Sequence, residues 1–498
     1  MTQSDKVSRR ELLAGAGVGS AALLLQQAGA QAQGVPGSAT VFAHATIVTP
    51  NATHDDWALA VSGDRIAAIG PSATILGQYP NAEIIDGRGK AVLPGLINCH
   101  AHLTATLERG FNEDFGFPNS AHPAISPTSL LRGDEKTLMA TIGILEALRS
   151  GTTSIVEFAS GIGSYAPALA RSGLRCVFAE SVADTDNVAG PMSVDGLAKS
   201  QTPLYSAKRR DDGLRRINDL YAAWHGKEGG RISVFPAAAL AETSSPDLLK
   251  AVRAFADKYD LGYSIHLSQS VAEVDFMVKY YGLRPPAFLA RHDFLGPRLF
   301  AAHCRFVDGN DIALLGRTKT IISHQAMMAA NRGVIPPIPQ LRAAGCPIAN
   351  GTDNNTNDMF EVMRVALVTE RIRRNDPNPG LRPQPEDVLE DATLGGARAL
   401  RQDKTTGALE VGRKADLIVI GTQKAHLVPA GRILSAWIHN GQPSDIESVM
   451  VDGAFVMRDH KVLTLDEAAL IAEADRVGRR IWGQVKAAGP IAIPGRSA

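Results

Sequence analysis

Eight apolar runs recur between residues 91 and 353, at 91–96, 152–158, 174–179, 232–237, 262–267, 299–303, 320–324 and 347–353, with polar or ionisable side chains gathered where they end. Runs this short and this continuously apolar read as strands buried on both faces, the pattern of parallel pairing. Stretches with helical periodicity, 135–149, 245–259 and 271–281 among them, separate most of the runs. Such alternation builds strand–helix–strand units. Eight units predict an α/β fold closed as a (β/α)8 TIM barrel, typically of about 250 residues, whose chemistry sits where the strands end.

Ionisable residues concentrate at those ends. His100 and His102 stand two apart in the segment AVLPGLINCHAHL, 91–103. Side chains two apart on a strand share a face, so both imidazoles can address one cation. Alone, a His-x-His is an ordinary polar pair. Its company changes the reading: His266, His303, His324 and Asp353 fall at or just past later run ends, in a chain of 498 residues with 13 histidines.

Six segments carry a family resemblance: LPGLINCHAHL at 93–103, LRSGTT at 148–153, HLSQ at 266–269, LGPRLFAAH at 295–303, ANGTD at 349–353 and GALEVGRKADL at 407–417. Together they resemble the metal-dependent amidohydrolase superfamily, and within it the branch of triazine hydrolases, guanine and cytosine deaminases and adenosylhomocysteine deaminase. The resemblance covers nearly everything after residue 40. It implies that His100, His102, His266 and Asp353 ligate one divalent metal ion and that His303 hydrogen-bonds the attacking water. The chemistry of the residues agrees. Three neutral imidazoles and one carboxylate leave a position open for water on zinc, the first expectation, or on ferrous iron. Asp353 can move a proton to a leaving nitrogen while His303 steadies developing charge.

Departures from the branch narrow the reaction. Two-metal members use a lysine at the end of the fourth strand, and 231–249 contains none, so one metal is expected. Many deaminases of the branch have a glutamate three residues after the strand-five histidine, where this chain has Gln269. Glutamine is no general acid or base, although it can orient water or substrate. The Pro-His-Ala segment common after strand four reads Pro236-Ala237-Ala238. These changes favour a non-peptide carbon–nitrogen bond of amide, urea or carbamate type in a small cyclic or aryl compound. The alternatives are an aminohydrolase of a triazine, pyrimidine or purine-like heterocycle, and a catalytically inactive periplasmic binding protein.

Further residues have two readings each. His324 and Asn331 correspond to a segment where relatives bring histidine and asparagine to the substrate, but the intervening sequence is not kept. Arg109 occupies a place near the mouth where relatives carry an arginine and an acidic pair, and an arginine there also pins long loops. Met327, Met328, Phe111, Phe115 and Phe117 line an apolar pocket or simply pack. Glu157 reads as a buried, paired carboxylate.

Residues 39–90 and 405–460 read as short alternating strands that combine into a β-sandwich-like companion domain around the barrel at 91–404, followed by a C-terminal helix and tail at 461–498. At the start, Ser8-Arg9-Arg10-Glu11-Leu12-Leu13, an apolar stretch at 12–25 and Ala30-Gln31-Ala32 resemble a twin-arginine signal over 1–33, cleaved near Ala32. The expectation is export by the twin-arginine machinery to the periplasm or beyond. The apolar stretch falls short of the ~20 residues of a membrane span, so no stable membrane insertion is expected. Lys plus Arg and Asp plus Glu both total 51. That balance lacks the electrostatic footprint of a nucleic-acid partner and points to a small-molecule substrate. The four cysteines, Cys99, Cys176, Cys304 and Cys346, lie in or beside expected strands and read as buried thiols. Homo-oligomerisation is left open.

Overall fold

Strands buried on both faces need cover on both, and the computed structural model supplies it with helices outside an eight-stranded parallel sheet. The structure describes residues 39–115, 123–185, 205–354, 356–377 and 382–491. The expected signal at 1–33, the ring of Phe115, Phe117 and the tail from 492 lie outside the described residues. The barrel strands run in chain order: β6 Leu96–Ala101, β7 Thr152–Ala159, β8 Arg175–Val182, β9 Ile232–Leu240, β10 Tyr263–Leu267, β11 Leu299–His303, β12 Ile321–His324 and β13 Ile348–Asn350. Every residue of β6 and β8 is buried, which is why no in–out alternation marks them in the sequence. The covering helices begin on sequence signals. Ser245 accepts a hydrogen bond from the Leu248 amide at 3.0 Å, Pro246 opens the first turn, and Leu248, Leu249, Val252 and Ala256 form the stripe laid on the barrel.

The run expected as the first barrel strand divides at Gly95. Lys90–Pro94 (β5) pairs antiparallel with β14 (Leu417–Gly421) in a second sheet, and only Leu96 onwards enters the barrel. A Cβ on Gly95 would meet Thr153 Cγ2 and Oγ1 at 2.2 Å, so a side chain there would clash at the crossing between sheets. Both pieces are buried, and apolar periodicity is blind to a change of sheet. The final run is also shorter than expected, since Gly351 to Asp353 lie beyond β13.

The second sheet draws on both ends of the chain. Strands β1 Thr40–Val48, β2 Thr53–Ser62, β3 Arg65–Pro71, β4 Glu83–Asp86 and β5 join β14, β15 Ile446–Val451, β16 Ala454–Arg458 and β17 Lys461–Val462 in one mixed, nine-stranded sheet. Its two faces alternate as a sheet should: Phe42 and Leu59 pack on one side, Val41, Ala43, Ala58 and Ala60 on the other. Arg175, at the start of β8, ties this domain to the barrel through Asp416 (3.0 and 3.2 Å) and Asp452 (2.7 Å), all largely buried. The four cysteines are buried and unbridged. Among the described residues, no helix is long and apolar enough to cross a membrane.

Candidate metal centre

The barrel closes along its first and last strands, and the seam itself builds the site. The His100 carbonyl accepts hydrogen bonds from the Thr352 amide (3.0 Å) and the Asp353 amide (2.9 Å), and the His102 amide donates to the Asp353 carbonyl at 3.2 Å. Asn98, buried beneath, locks the seam: its amide donates to Thr352 Oγ1 at 2.8 Å, and its Oδ1 accepts from the His100 and Thr352 amides at 3.2 Å each. The backbone pairing that closes the barrel therefore also fixes the spacing of His100, His102 and Asp353.

Five predicted side chains meet there. His102 Nε2 stands 3.2 Å from Asp353 Oδ1, His100 Nε2 stands 3.7 Å from the same oxygen, and His266 Nε2 lies 3.3 Å from His102 Nε2. The His303 ring stacks on His266 with centroids 5.3 Å apart. Ligand-capable atoms lie within 4.8 Å of one another in two groups, His100 with His266 and His303, and His100 with His102 and Asp353. His303 and Asp353 reach the centre through backbone outside the strand region, with φ of 77° and 67°. Left-handed backbone at non-glycine residues costs energy and collects at functional sites. It also explains how His303, paired in register with Leu267, escapes the alternation of its strand.

Tautomers follow from the outer partners. His102 Nδ1 lies 2.7 Å from the Phe158 carbonyl and His266 Nδ1 lies 2.6 Å from the Ala239 carbonyl. A carbonyl only accepts, so each Nδ1 carries the proton and each Nε2 turns its lone pair to the centre, the arrangement of metal-ligating histidines. Burial holds His100 well below the usual imidazole value, pulls His266 down to about 4 and lowers His303 strongly against the opposing charge of Asp353. Burial alone would raise Asp353, but the close approach of His102 and the surrounding imidazoles bring it well below the carboxylate range. Burial likewise opposes charge on His102, yet the Asp353 carboxylate beside its Nε2 raises it. Neither ring nitrogen of buried His100 has a hydrogen-bond partner among the described residues. Buried orphans of that kind, neutral imidazoles and an ionised carboxylate fit one divalent cation.

The remaining predicted residues separate into neighbours and absentees. Gln269 is buried at the end of β10, its amide donating to Glu273 Oε2 at 2.7 Å and its carbonyl accepting from Arg305 Nη1 at 3.2 Å. His324 is not brought to the cluster. It pairs with Asn350, one step out of phase with the His266, Ala302 and Ser323 row; burial, then the positive charge of Arg342, lowers it to about 3. Asn331 is exposed at the end of the helix Ala326–Asn331. Arg109 pairs with Glu146, which also accepts from Thr356 (3.2 Å) and Asn357 (3.1 Å), so it pins the loop after β6 to the loop after β13. Met328 is buried, Met327 packs against the main core and Phe111 packs on Trp482. Glu157 accepts from the Leu103 amide (2.9 Å) and the Tyr165 hydroxyl (2.7 Å), a loop anchor raised by burial.

Sequence reasoning passed over two arginines. Arg305, two residues after His303, and Arg332, next to Asn331, both act electrostatically on His303, and both feel the charge of Asp353. An arginine two positions past a strand-end histidine was the available signal.

Comparison with known proteins agrees with this geometry. Residues 91–456 match the amidohydrolase family, and residues 58–82 match the imidazolonepropionase-like composite domain of bacteria. A 5-methylthioadenosine/S-adenosylhomocysteine deaminase of Desulforudis audaxviator is 32% identical over 433 residues, 85% of this chain and 94% of that protein. A 5'-deoxyadenosine deaminase of Methanosarcina barkeri is 32% identical over 411 residues, 81% and 89% of the two chains. Among solved structures, an adenosine deaminase from Xanthomonas campestris with bound zinc superposes with a TM-score of 0.77 at 24% identity, covering 89% of this chain and 98% of that one. A triazine hydrolase from Arthobacter aurescens gives 0.77 at 20% identity, covering 89% and 99%. The fold has its counterparts among solved structures, and the chain belongs to the amidohydrolase family.

Proposed function

We propose that this chain hydrolyses a non-peptide carbon–nitrogen bond, of amide, urea or carbamate type, in a small cyclic or aryl compound. The observation that carries the proposal is the convergence of His100, His102, His266, His303 and Asp353 on one point at the barrel seam. His100, His102, His266 and Asp353 would hold a divalent cation, zinc before ferrous iron, and a cation so held supplies Lewis acidity and lowers the pKa of water towards about 7. Asp353, kept ionised by its neighbours, accepts a proton on its carboxylate and returns it to the leaving nitrogen. His303 donates to oxygen as negative charge develops on the group under attack. Gln269, unable to exchange protons, orients water or substrate instead.

A second reading, deamination of an amino-heterocycle, is favoured by the deaminases among the relatives. One substitution separates the two. Gln269→Glu should leave amine release from amides unchanged or lower, whereas a gain in ammonia release from triazines, pyrimidines or purines would favour the second reading. Asp353→Asn should lower either activity by about 10²–10⁴-fold, and full retained activity would refute the assigned role. Export by the twin-arginine route is part of the proposal: Arg9→Lys with Arg10→Lys should retain the protein in the cytoplasm on cell fractionation.

A further inference from the structure

The backbone at His303 is strained. The Cys304 amide turns back to the Ala302 carbonyl at 3.2 Å, closing a three-residue turn with His303 at its centre and a φ of 77°. A γ-turn with positive φ is the rare, strained form of that turn, and such backbone persists only where its surroundings over-determine it. Two backbone contacts hold the exit: the Cys304 amide donates to the Leu267 carbonyl and the Phe306 amide to the Ser268 carbonyl, at 2.9 Å each. A third hold is a side chain. Pairing of β11 with β12 ends at Ala302 and Ser323, and one residue on, the His303 amide donates to Gln325 Oε1 at 2.9 Å in place of a backbone carbonyl.

Gln325 is 1% exposed and stands at the start of the helix Ala326–Asn331, yet its side chain does not cap that helix. A backbone N–H only donates, so the carboxamide oxygen faces His303 and the carboxamide nitrogen donates to Ser323 Oγ at 2.8 Å. Ser323 is wholly buried, in the register row of His266 and Ala302. The Gln325 carbonyl accepts from the Ala329 amide at 2.9 Å, which fixes the anchor itself. We propose that Gln325, clamped by Ser323, is a positioning residue: it holds His303 in the strained turn that stacks its ring on His266, and so sets the reach of His303 toward the group under attack. The inference rests on the reading of His303 as the residue that steadies developing charge.

Gln325→Met keeps the length of the side chain and removes both of its hydrogen bonds. Crystal structures of the zinc-loaded protein should show the His303 ring out of its 5.3 Å stack on His266 in this variant. The ring should stay in place in Gln325→Glu, whose carboxylate accepts from the His303 amide and from the Ser323 hydroxyl. On whichever amide, phenylurea, carbamate, triazine or pyrimidine the wild-type protein turns over, Gln325→Met should lower kcat by about 10–100-fold, with KM and zinc content kept. Beside His303→Asn the same substitution should cost less than about twofold, because the residue it acts through is gone. Ser323→Ala removes only the clamp and serves if Gln325→Met folds poorly; it should lower kcat by about threefold, the scale of one hydrogen bond, and again only while His303 is present. A ring unmoved in Gln325→Met, a kcat loss that persists in full beside His303→Asn, or zinc loss with turnover per bound zinc unchanged overturns the inference. Absence of product from every compound counts against the hydrolase reading alone and leaves the crystal structures to decide.

Discussion

At the scale of single residues, the centre depends on who is neutral and who is charged. If His303 acts on water and substrate while the other four hold the cation, His303→Asn should keep the metal and lose about 10²–10³-fold in turnover. Loss of metal from that variant, measured by atomic absorption, would place His303 among the ligands, as its grouping with His100 and His266 permits. A second residue-scale prediction concerns two carboxyls behind Gln269. Glu242 is buried with neither oxygen hydrogen-bonded among the described residues, and burial pushes it up to about 7; burial and Glu242 together raise Glu273 well above its usual value. The folded chain thus holds these protons more tightly than the unfolded one. The stabilisation from Glu242 is complete below the ordinary carboxyl value and is lost as pH rises through about 7, and that from Glu273 is likewise lost as pH rises. The Tm should fall between about pH 5 and about pH 8, and Glu242→Gln should flatten that slope; equal slopes would contradict the assignment. His100, His102, His266, His303 and Asp353 were legible in the sequence because a strand-end metal site needs scarce ligands at fixed places. Arg305 and Arg332 were not, because loop geometry decides which side of the site a long cationic side chain occupies. His324 also stands at the end of a strand, but its register sets it one step out of phase with the His266 row.

At the scale of elements, the junction of β6 with the segment after β13 does the positioning. A Cβ at Gly351 would lie 2.9 Å from His100 Cβ and N and 3.0 Å from its carbonyl oxygen. Gly351→Ala should therefore shift the His100 backbone and weaken metal binding by roughly 10–100-fold, as loss of outer support does elsewhere, without unfolding the barrel. Unchanged affinity in a chelator competition would show that the seam does not set the ligand spacing. Eight strands in order were readable from apolar runs, since burial on both faces is a strong constraint. The break at Gly95 was not, because β5 and β6 are equally buried in different sheets and only a close contact with Thr153 records the crossing.

At the scale of the whole molecule, barrel and companion sheet share a buried ionic junction at Arg175, Asp416 and Asp452. Removing the cation leaves buried Asp416 without its ion-pair partner, while Asp452 keeps Lys414 at 3.1 Å, so Arg175→Met should cost about 3–5 kcal/mol and lower the Tm; an unaltered melt would mean that the junction adds nothing. The companion sheet was anticipated from strand-like segments at both ends, yet its pairing order was not, since which strands meet is fixed by contacts far apart in the chain. The central claim is a metal-dependent hydrolase acting on carbon–nitrogen bonds. Its most direct test is the metal content of the purified protein, measured alongside release of amine or ammonia from amides, phenylureas, carbamates, triazines and pyrimidines. The account predicts about one divalent ion per chain and product formation that stops with a chelator and returns with zinc. A chain without metal, or a metal-loaded chain that turns over none of these compounds, would contradict it.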